Sequence, residues 1–422
     1  MTTTAARAVL AGLDDLRPDL EGLYRELHRN PELSHHEVET AAKVADLLRL
    51  ADFEVTEGVG GTGVVGILRN GSGPRVLLRA DMDALPVKEA TGLDYASTAT
   101  ATDKAGNPVS VMHACGHDVH VASLATAATL LSRGRAQWQG TLVIVFQPAE
   151  EVADGADSMV ADGLVDVVGG VDIALAQHVL AMPAGAAYTR AGAVLSAADS
   201  LRITVHGRGA HGSMPQAAVD PVVLAAMIVI RLQTVVSREL APTEPAVLTI
   251  GSIHAGSASN VISDHAVIEL NLRTYNDQTR TQVLDAIRRI VVAECEASGS
   301  PKPPEFEMFD QFPLTFNEDE PTAVVRQAFD DFFGADSRDL PLQSASEDFS
   351  DIPKAFNAPY VYWAVGGADP ETYAAAEKAG TVASDIPVNH SPFFAPVLQP
   401  TLDVATRAMV VCALAWLGAP RG

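Results

Sequence analysis

The sequence predicts an α/β fold carrying a compact α+β insert of ferredoxin-like type. Up to about Ala187, helical stretches alternate with short buried strands, the pattern of an α/β sheet. From about Val194 the order becomes strand–helix–strand–strand–helix. At 422 residues the chain also exceeds what one core normally supports. The expected division is residues 1–190, 191–305 and 306–422, the first and last forming one domain.

The elements follow in order. Helices are expected over Leu13–Leu27 and Glu39–Ala51, with H-R-N-P-E-L-S, His28–Ser34, between them. The apolar run Val76–Leu78 reads as a strand ending in R-A-D-M-D-A-L-P, which supplies Asp81 and Asp83. Thr141–Phe146 is a second buried strand; Pro148, lacking an N–H, ends it, and Glu150 and Glu151 follow. Ala174–Val179 delivers His178. In the insert, the strand L-R-I-T-V-H runs into a glycine-rich turn presenting His211. A helix from Pro221 to about Leu240, the strands A-V-L-T-I-G-S-I and V-I-E-L-N-L-R-T-Y, and a helix over Thr279–Ser298 come next. Pro301–Glu305 reads as the exit from the insert. The returning chain carries His390 in the turn N-H-S-P-F-F and ends in a buried helix, Ala408–Leu417, too short to span a bilayer.

The densest chemistry lies in V-M-H-A-C-G-H-D-V-H, Val111–His120. A thiol, imidazoles and a carboxylate this close together suit a borderline-soft divalent metal. As a strand the segment would turn His113, Cys115 and His117 to one face; as a helix it would align His113 with His117. The adjacent Glu150 and Glu151 project in different directions at a strand's C-terminal end, where open α/β sheets build their sites.

Composition narrows the functional classes. Hydrophobic residues make up 47%, with 25 prolines and 32 glycines, as in a compact, turn-rich protein. A net charge of −24, from 53 acidic and 29 basic residues, argues against nucleic acid or an anionic membrane as partner. The three cysteines, Cys115, Cys295 and Cys412, form no disulfide framework. With no apolar leader before Asp14, a cytoplasmic setting is expected.

Taken in order, R-A-D-M-D-A-L-P, H-A-C-G-H-D, F-Q-P-A-E-E, Q-H-V, H-G-x-G-A-H-G-S-x-P, G-S-A-S-N-V-I, S-E-D-F and N-H-S-P-F-F resemble the di-metal amidohydrolases of the aminoacylase/carboxypeptidase superfamily. The similarity is to the branch of hippurate hydrolases and auxin–amino-acid-conjugate hydrolases, and runs from about His28 to about Phe394. It implies a mixed-sheet α/β/α catalytic domain with an inserted lid and dimerisation domain. It also implies two divalent ions (Zn, Mn, Ni or Co) held by Cys115, His117, Glu151, His178 and His390. By the same resemblance Glu150 is the general base, Asp81 a carboxylate orienting a ligand, and His211 a donor to the developing oxyanion. Asn260 and Arg273 would touch the substrate, Arg273 through its free carboxylate. The implied assembly is a homodimer through the lid, with a tetramer open. The implied reaction is hydrolysis of N-acyl amino acids; deacylation of N-acetyl- or N-succinyl-diaminopimelate and dipeptide hydrolysis are the alternatives.

The chain departs from the pattern at Arg79, where the wider superfamily has a liganding His, and at Val119, Val121 and Gln177, which border the site. A non-catalytic binding relative is the competing class. Retention of Glu150 with all five ligands argues against it, because a binder needs no base.

Overall fold

The computed structural model describes residues 2–418 and divides into two compact units. The first comprises Met1–Val194, Phe316–Leu342 and Asp348–Gly422; the second comprises Leu195–Thr315 and Gln343–Glu347.

The first unit is built on a mixed eight-stranded sheet. From one edge its strands are Glu54–Val59, Gly63–Asn70, Gly140–Gln147, Arg75–Asp81, Ile173–Pro183, Tyr360–Ala368, Ala187–Thr189 and Ser337–Asp339. The four from Gly140–Gln147 to Tyr360–Ala368 run parallel. Strand Gly140–Gln147 is buried at every position, as expected where both faces of a parallel sheet are covered. Leu142, Ile144 and Phe146 on one face join Leu124, Leu131, Met409 and Val410 of helices His117–Arg133 and Leu398–Trp416 in the main core. The expected N-terminal helices appear as Leu13–Arg29 and Val38–Leu50, and the expected last helix lies within Leu398–Trp416. A further helix, Thr2–Leu10, had no counterpart in the sequence reading.

The second unit has a four-stranded antiparallel sheet ordered Ala246–Ala255, His265–Thr274, Ala197–His206, Glu305–Phe312. Helix Pro221–Thr234 is capped by the Asp220 side chain, and helix Asp277–Ala297 by Asn276. Leu224, Ile228, Ile287 and Val291 from these helices pack with Leu201, Ile203, Ile268 and Leu270 of the sheet. The full order is β-α-β-β-α-β, a ferredoxin-like arrangement. One expectation is corrected. Pro301–Glu305 is not the exit, because Glu305–Phe312 continues as an edge strand paired with Ala197–His206. Phe306 and Met308 pack on the core while Glu305 and Glu307 alternate with them; the prolines preceding this run obscured it.

One carboxylate in the first unit is held above its ordinary range. Asp351, on helix Asp351–Ala355, is pushed up to about 6 by burial and by Asp157. Its proton is bound more tightly folded than unfolded, so the penalty is absent below about pH 4 and complete above about pH 6. Asp351→Asn should therefore raise the melting temperature at pH 8, by a stabilisation on the order of 2 kcal/mol, and give no gain at pH 3.5. Thermal melts at the two pH values check this; an equal gain at both would show that ionisation is not the cause.

Candidate metal centre

Three adjacent parallel strands deliver acidic or imidazole side chains, from the ends of two of them and from within the third. Arg75–Asp81 leads into Asp81 and Asp83, Gly140–Gln147 into Glu150 and Glu151, and Ile173–Pro183 carries His178. Cys115 and His117 come from the loop into helix His117–Arg133, and His390 from the returning chain, where its N–H donates to the Ala114 carbonyl (2.8 Å). Gly116 makes the junction with φ 85°, and a Cβ there would collide with Val179. This turn corrects both expectations for the His113–His117 segment, which is neither a continuous strand nor a helix. His113 instead turns into the interior, where its ring nitrogens find no hydrogen-bond partner among the described residues. Burial pulls its pKa down to about 4.

The five expected ligands gather in two sets of three that share Cys115. Cys115, His117 and His178 form one; Cys115, Glu151 and His390 form the other; in each, the ligand atoms lie within 4.8 Å of one another. Cys115 Sγ is 3.5 Å from His178 Nε2, and His390 Nε2 is 3.3 Å from Glu151 Oε2. Glu150 lies beside both sets, with its Oε2 3.9 Å from His117 Nε2.

Hydrogen bonds fix which atoms remain to bind. His117 Nδ1 lies 2.9 Å from the Asp83 carbonyl, which can only accept, so Nδ1 carries the proton and Nε2 its lone pair. His178 Nδ1 is likewise committed to the Val179 carbonyl at 2.8 Å. His117 Nε2 and Glu151 Oε1, 3.9 Å apart, are buried and have no hydrogen-bond partner among the described residues. Two acceptor atoms orphaned face to face in a dry pocket would be costly if nothing bridged them, and a cation satisfies both. The donor set of thiolate, imidazole and carboxylate thus fits two divalent ions.

The electrostatics agree. Burial opposes charge on His117, but Asp81, Asp83 and Cys115 outweigh it and hold the ring well above the usual histidine range. Burial, then Glu151, pushes the Cys115 thiol up. Hydrogen bonds to Cys115 and Glu151 raise His390 to about 10. The two histidine shifts mark a pocket whose own negative charge draws protons.

Several supporting roles were not assigned from the sequence, although Asp83 and Arg79 were named there. The carboxylate within bonding reach of His117 Nδ1 is Asp83 (3.2 Å). Asp81 instead bonds His120 Nδ1 (2.5 Å) and Arg79 (2.7 Å), and stands 3.7 Å from His117 Nε2. Burial opposes ionisation of Asp81, yet His117, Arg79 and His120 hold it well below the usual carboxylate range. Arg79 is fully buried and also reaches Gln147 Oε1 (2.9 Å) and Asp348 Oδ1 (3.3 Å), the latter in S-E-D-F. Asn389 donates to the Cys115 and Val179 carbonyls (3.1 and 3.0 Å), tying the His390 turn to two other ligand-bearing segments.

Within the second unit, His211 and Asn260 meet at a two-strand ribbon, Ala210–His211 against Val261–Ile262, where Gly212 N–H donates to the Asn260 carbonyl (2.7 Å). The Ser213 N–H points to His211 Nδ1 (3.2 Å), so the exposed ring carries its proton on Nε2. Arg273 sits on strand His265–Thr274, donating to the Ser344 carbonyl (2.8 Å) and Ser346 Oγ (3.1 Å).

Because Cys115 belongs to both sets, its loss should cost more metal than the loss of a ligand unique to one. Elemental analysis should find about two ions per chain in the parent, about one in His178→Ala, and well under one in Cys115→Ala. Equal metal in Cys115→Ala and parent would remove Cys115 from the centre.

Comparison with known proteins agrees with this geometry. Residues 77–388 match the model of Peptidase family M20/M25/M40. The chain is 38% identical over 344 residues to the hippurate hydrolase of Campylobacter jejuni, covering 79% of this chain and 85% of that one. It is 37% identical over 347 residues to thermostable carboxypeptidase 2 of Saccharolobus solfataricus, covering 81% and 84%. Among solved structures, a dinuclear metal-binding M20 peptidase of Bacillus subtilis superposes with a TM-score of 0.76 at 28% identity, covering 96% and 99%. With the family model matched over most of its length, the chain belongs to Peptidase family M20/M25/M40.

Proposed function

We propose that this chain is a metal-dependent amidohydrolase that cleaves N-acyl amino acids to a carboxylic acid and a free amino acid. The observation that carries the reading is the placement of Glu150 beside two ligand sets that share one thiol. When bound, two divalent ions supply polarisation of the amide carbonyl and acidification of water. The thiolate, imidazole and carboxylate donors suit Zn, Mn, Co or Ni. Glu150, from a turn fixed at the end of a buried strand, takes the proton of the attacking water and returns it to the leaving amine nitrogen.

Recognition is assigned to the second unit. His211 keeps its Nε2 proton to donate to the oxyanion, and Asn260 shares its ribbon. Arg273 has one nitrogen engaged by residues 344 and 346 and presents the rest of its fork to the substrate carboxylate. In a chain of net charge −24, a fixed cation is needed to attract an anionic substrate. A reducing cytoplasmic setting fits three buried free thiols, one of them a ligand.

Kinetics separate these roles. Glu150→Gln should keep its metal and lose at least about 100-fold in kcat. Arg273→Ala should raise KM for hippurate and N-acetyl amino acids much more than for their carboxamides, with kcat little changed. A Glu150→Gln enzyme within about threefold of the parent would refute the base. Equal effects of Arg273→Ala on acids and carboxamides would refute the carboxylate contact. N-succinyl-diaminopimelate and dipeptides in the same panel test the alternative substrates.

The homodimer is assigned to the second unit as well. Helix Pro221–Thr234 buries Leu224, Ile228 and Leu232 but exposes Val222, Val223, Met227 and Ile230, the last 66% exposed. Strand Ala246–Ala255, at an edge of the sheet, exposes Val247 and Ile253. An apolar stripe and an open strand edge on one unit match what a second copy would cover. Sedimentation should give a dimer for the parent and a monomer for Val223→Lys/Ile230→Glu; an unchanged dimer would place the interface elsewhere.

A further inference from the structure

The segment Glu32–Glu37 runs alongside the two turns that carry the site's carboxylates. At one turn, Leu33 bridges Ala84, whose N–H donates to the Glu32 carbonyl (2.8 Å). Ser34 Oγ donates to Asp83 Oδ2 (2.7 Å), and the same oxygen accepts the Glu151 N–H (2.9 Å). At the other turn, His35 pairs with Asp154 (2.9 Å). Between these contacts lies Glu37, a fully buried carboxylate. Its Oε1 accepts the N–H groups of Ala149 (2.9 Å) and His35 (3.0 Å), and its Oε2 accepts from Thr62 Oγ1 (2.6 Å).

The partner that matters is Ala149. It is buried, precedes Glu150 directly, and has φ 52° and ψ 38°, a left-handed conformation that a residue with a Cβ seldom adopts. Its carbonyl accepts the Gly155 N–H (3.1 Å), so the turn closes on itself. Such a backbone persists only where its surroundings over-determine it, and the acceptor held against its N–H is Glu37.

We infer that Glu37 is a positioning residue for Glu150: it clamps the left-handed turn at Ala149 and so sets the direction in which the base points. The inference rests on the reading of Glu150 as general base. A carboxylate is suited to this work because one side chain must reach two backbone donors and a hydroxyl while its stem is buried. Glu37→Gln keeps the reach, since the amide oxygen can take the Ala149 N–H and the Thr62 hydroxyl can turn to accept. Glu37→Asp keeps the charge but withdraws it by one methylene.

The test uses the metal-loaded full chain with hippurate as probe substrate. Glu37→Asp should lower kcat by about 10- to 100-fold, the scale of an ångström-sized misplacement, with KM within about threefold and two ions retained. Glu37→Gln should recover to within about fivefold of the parent. Adding Glu37→Asp to Glu150→Gln should lower kcat no further, because the clamp acts only through the base. A Glu37→Asp enzyme with parental kcat, or a double variant losing the full product of the two single effects, would overturn the inference. Glu37→Asp failing where Glu37→Gln fails equally, with metal lost from both, would also overturn it and leave Glu37 a packing residue. Glu150→Gln alone with parental turnover would instead overturn the underlying reading of the base.

Discussion

The centre depends on one constraint: His117 and His178 commit Nδ1 to backbone carbonyls and turn Nε2 inward, and His117 Nε2 and Glu151 Oε1 are left without a partner among the described residues. A backbone carbonyl fixes the proton on His117 Nδ1, and another does so on His178 Nδ1. The Glu151 N–H is held by Asp83 while its Oε1 stays unpaired. Isolated in a dry interior, these leftover acceptors would destabilise the fold. Gathered around Cys115, they become a receptacle for cations, and the same burial that makes them expensive alone makes them strong together. The parallel strands serve this end. Because Arg75–Asp81 pairs with both Gly140–Gln147 and Ile173–Pro183, their side chains emerge at one end of one sheet, from positions far apart in sequence.

What could be read in the sequence divides along the same line. The segments that converge on Cys115 were legible because metal chemistry restricts residue type: Cys115, His117, the doubled glutamate, and histidines at the ends of apolar runs. Their supporting contacts were not legible. Asn389 and Glu37 act largely on backbone N–H and carbonyl groups, which every residue carries and which leave no signature of type, and Asp83 was named without its contacts to Glu151 and His117. Glu37 meets Ala149 across 112 residues, and only because Ala149 takes a left-handed conformation that its identity does not suggest. The period-two and period-four readings of His113–His117 both failed for a similar reason. A single glycine at positive φ resets the chain direction between Cys115 and His117, and periodicity cannot anticipate that.

The insert shows the complementary case. Its β-α-β-β-α order was readable from alternation alone, since alternate positions of Ala197–His206 and His265–Thr274 are buried on one face. The sixth element was lost to the prolines before it, although E-F-E-M-F-D-Q-F carries the same alternation in weaker form. An edge strand faces core on one side and has a partner on only one flank, so acidic residues are tolerated along it. Punctuation by proline thus marked the start of a strand, where a missing N–H does no harm, and not the end of the unit.

Charge balance explains why an arginine suits position 79. Asp81 and Asp348 are buried within reach of the centre, and neither belongs to the two ligand sets that share Cys115. Left unpaired, each would either take up a proton or add negative charge that the ions must offset. Arg79 contacts both carboxylates and Gln147 through one guanidinium, whose charge does not titrate away on burial. Gln147 closes the link by donating to Asp348 (2.6 Å), whose other oxygen accepts the Ala156 N–H (3.0 Å) beyond the Glu150 turn. The turn of Glu150 is therefore held from two directions. Glu37 fixes its entry at Ala149, and the Arg79–Asp348 network fixes the start of the helix that follows. A histidine at position 79 could supply a ligand but could not neutralise two carboxylates at once. Once His117 supplies the imidazole, the cation becomes the more useful occupant of that position.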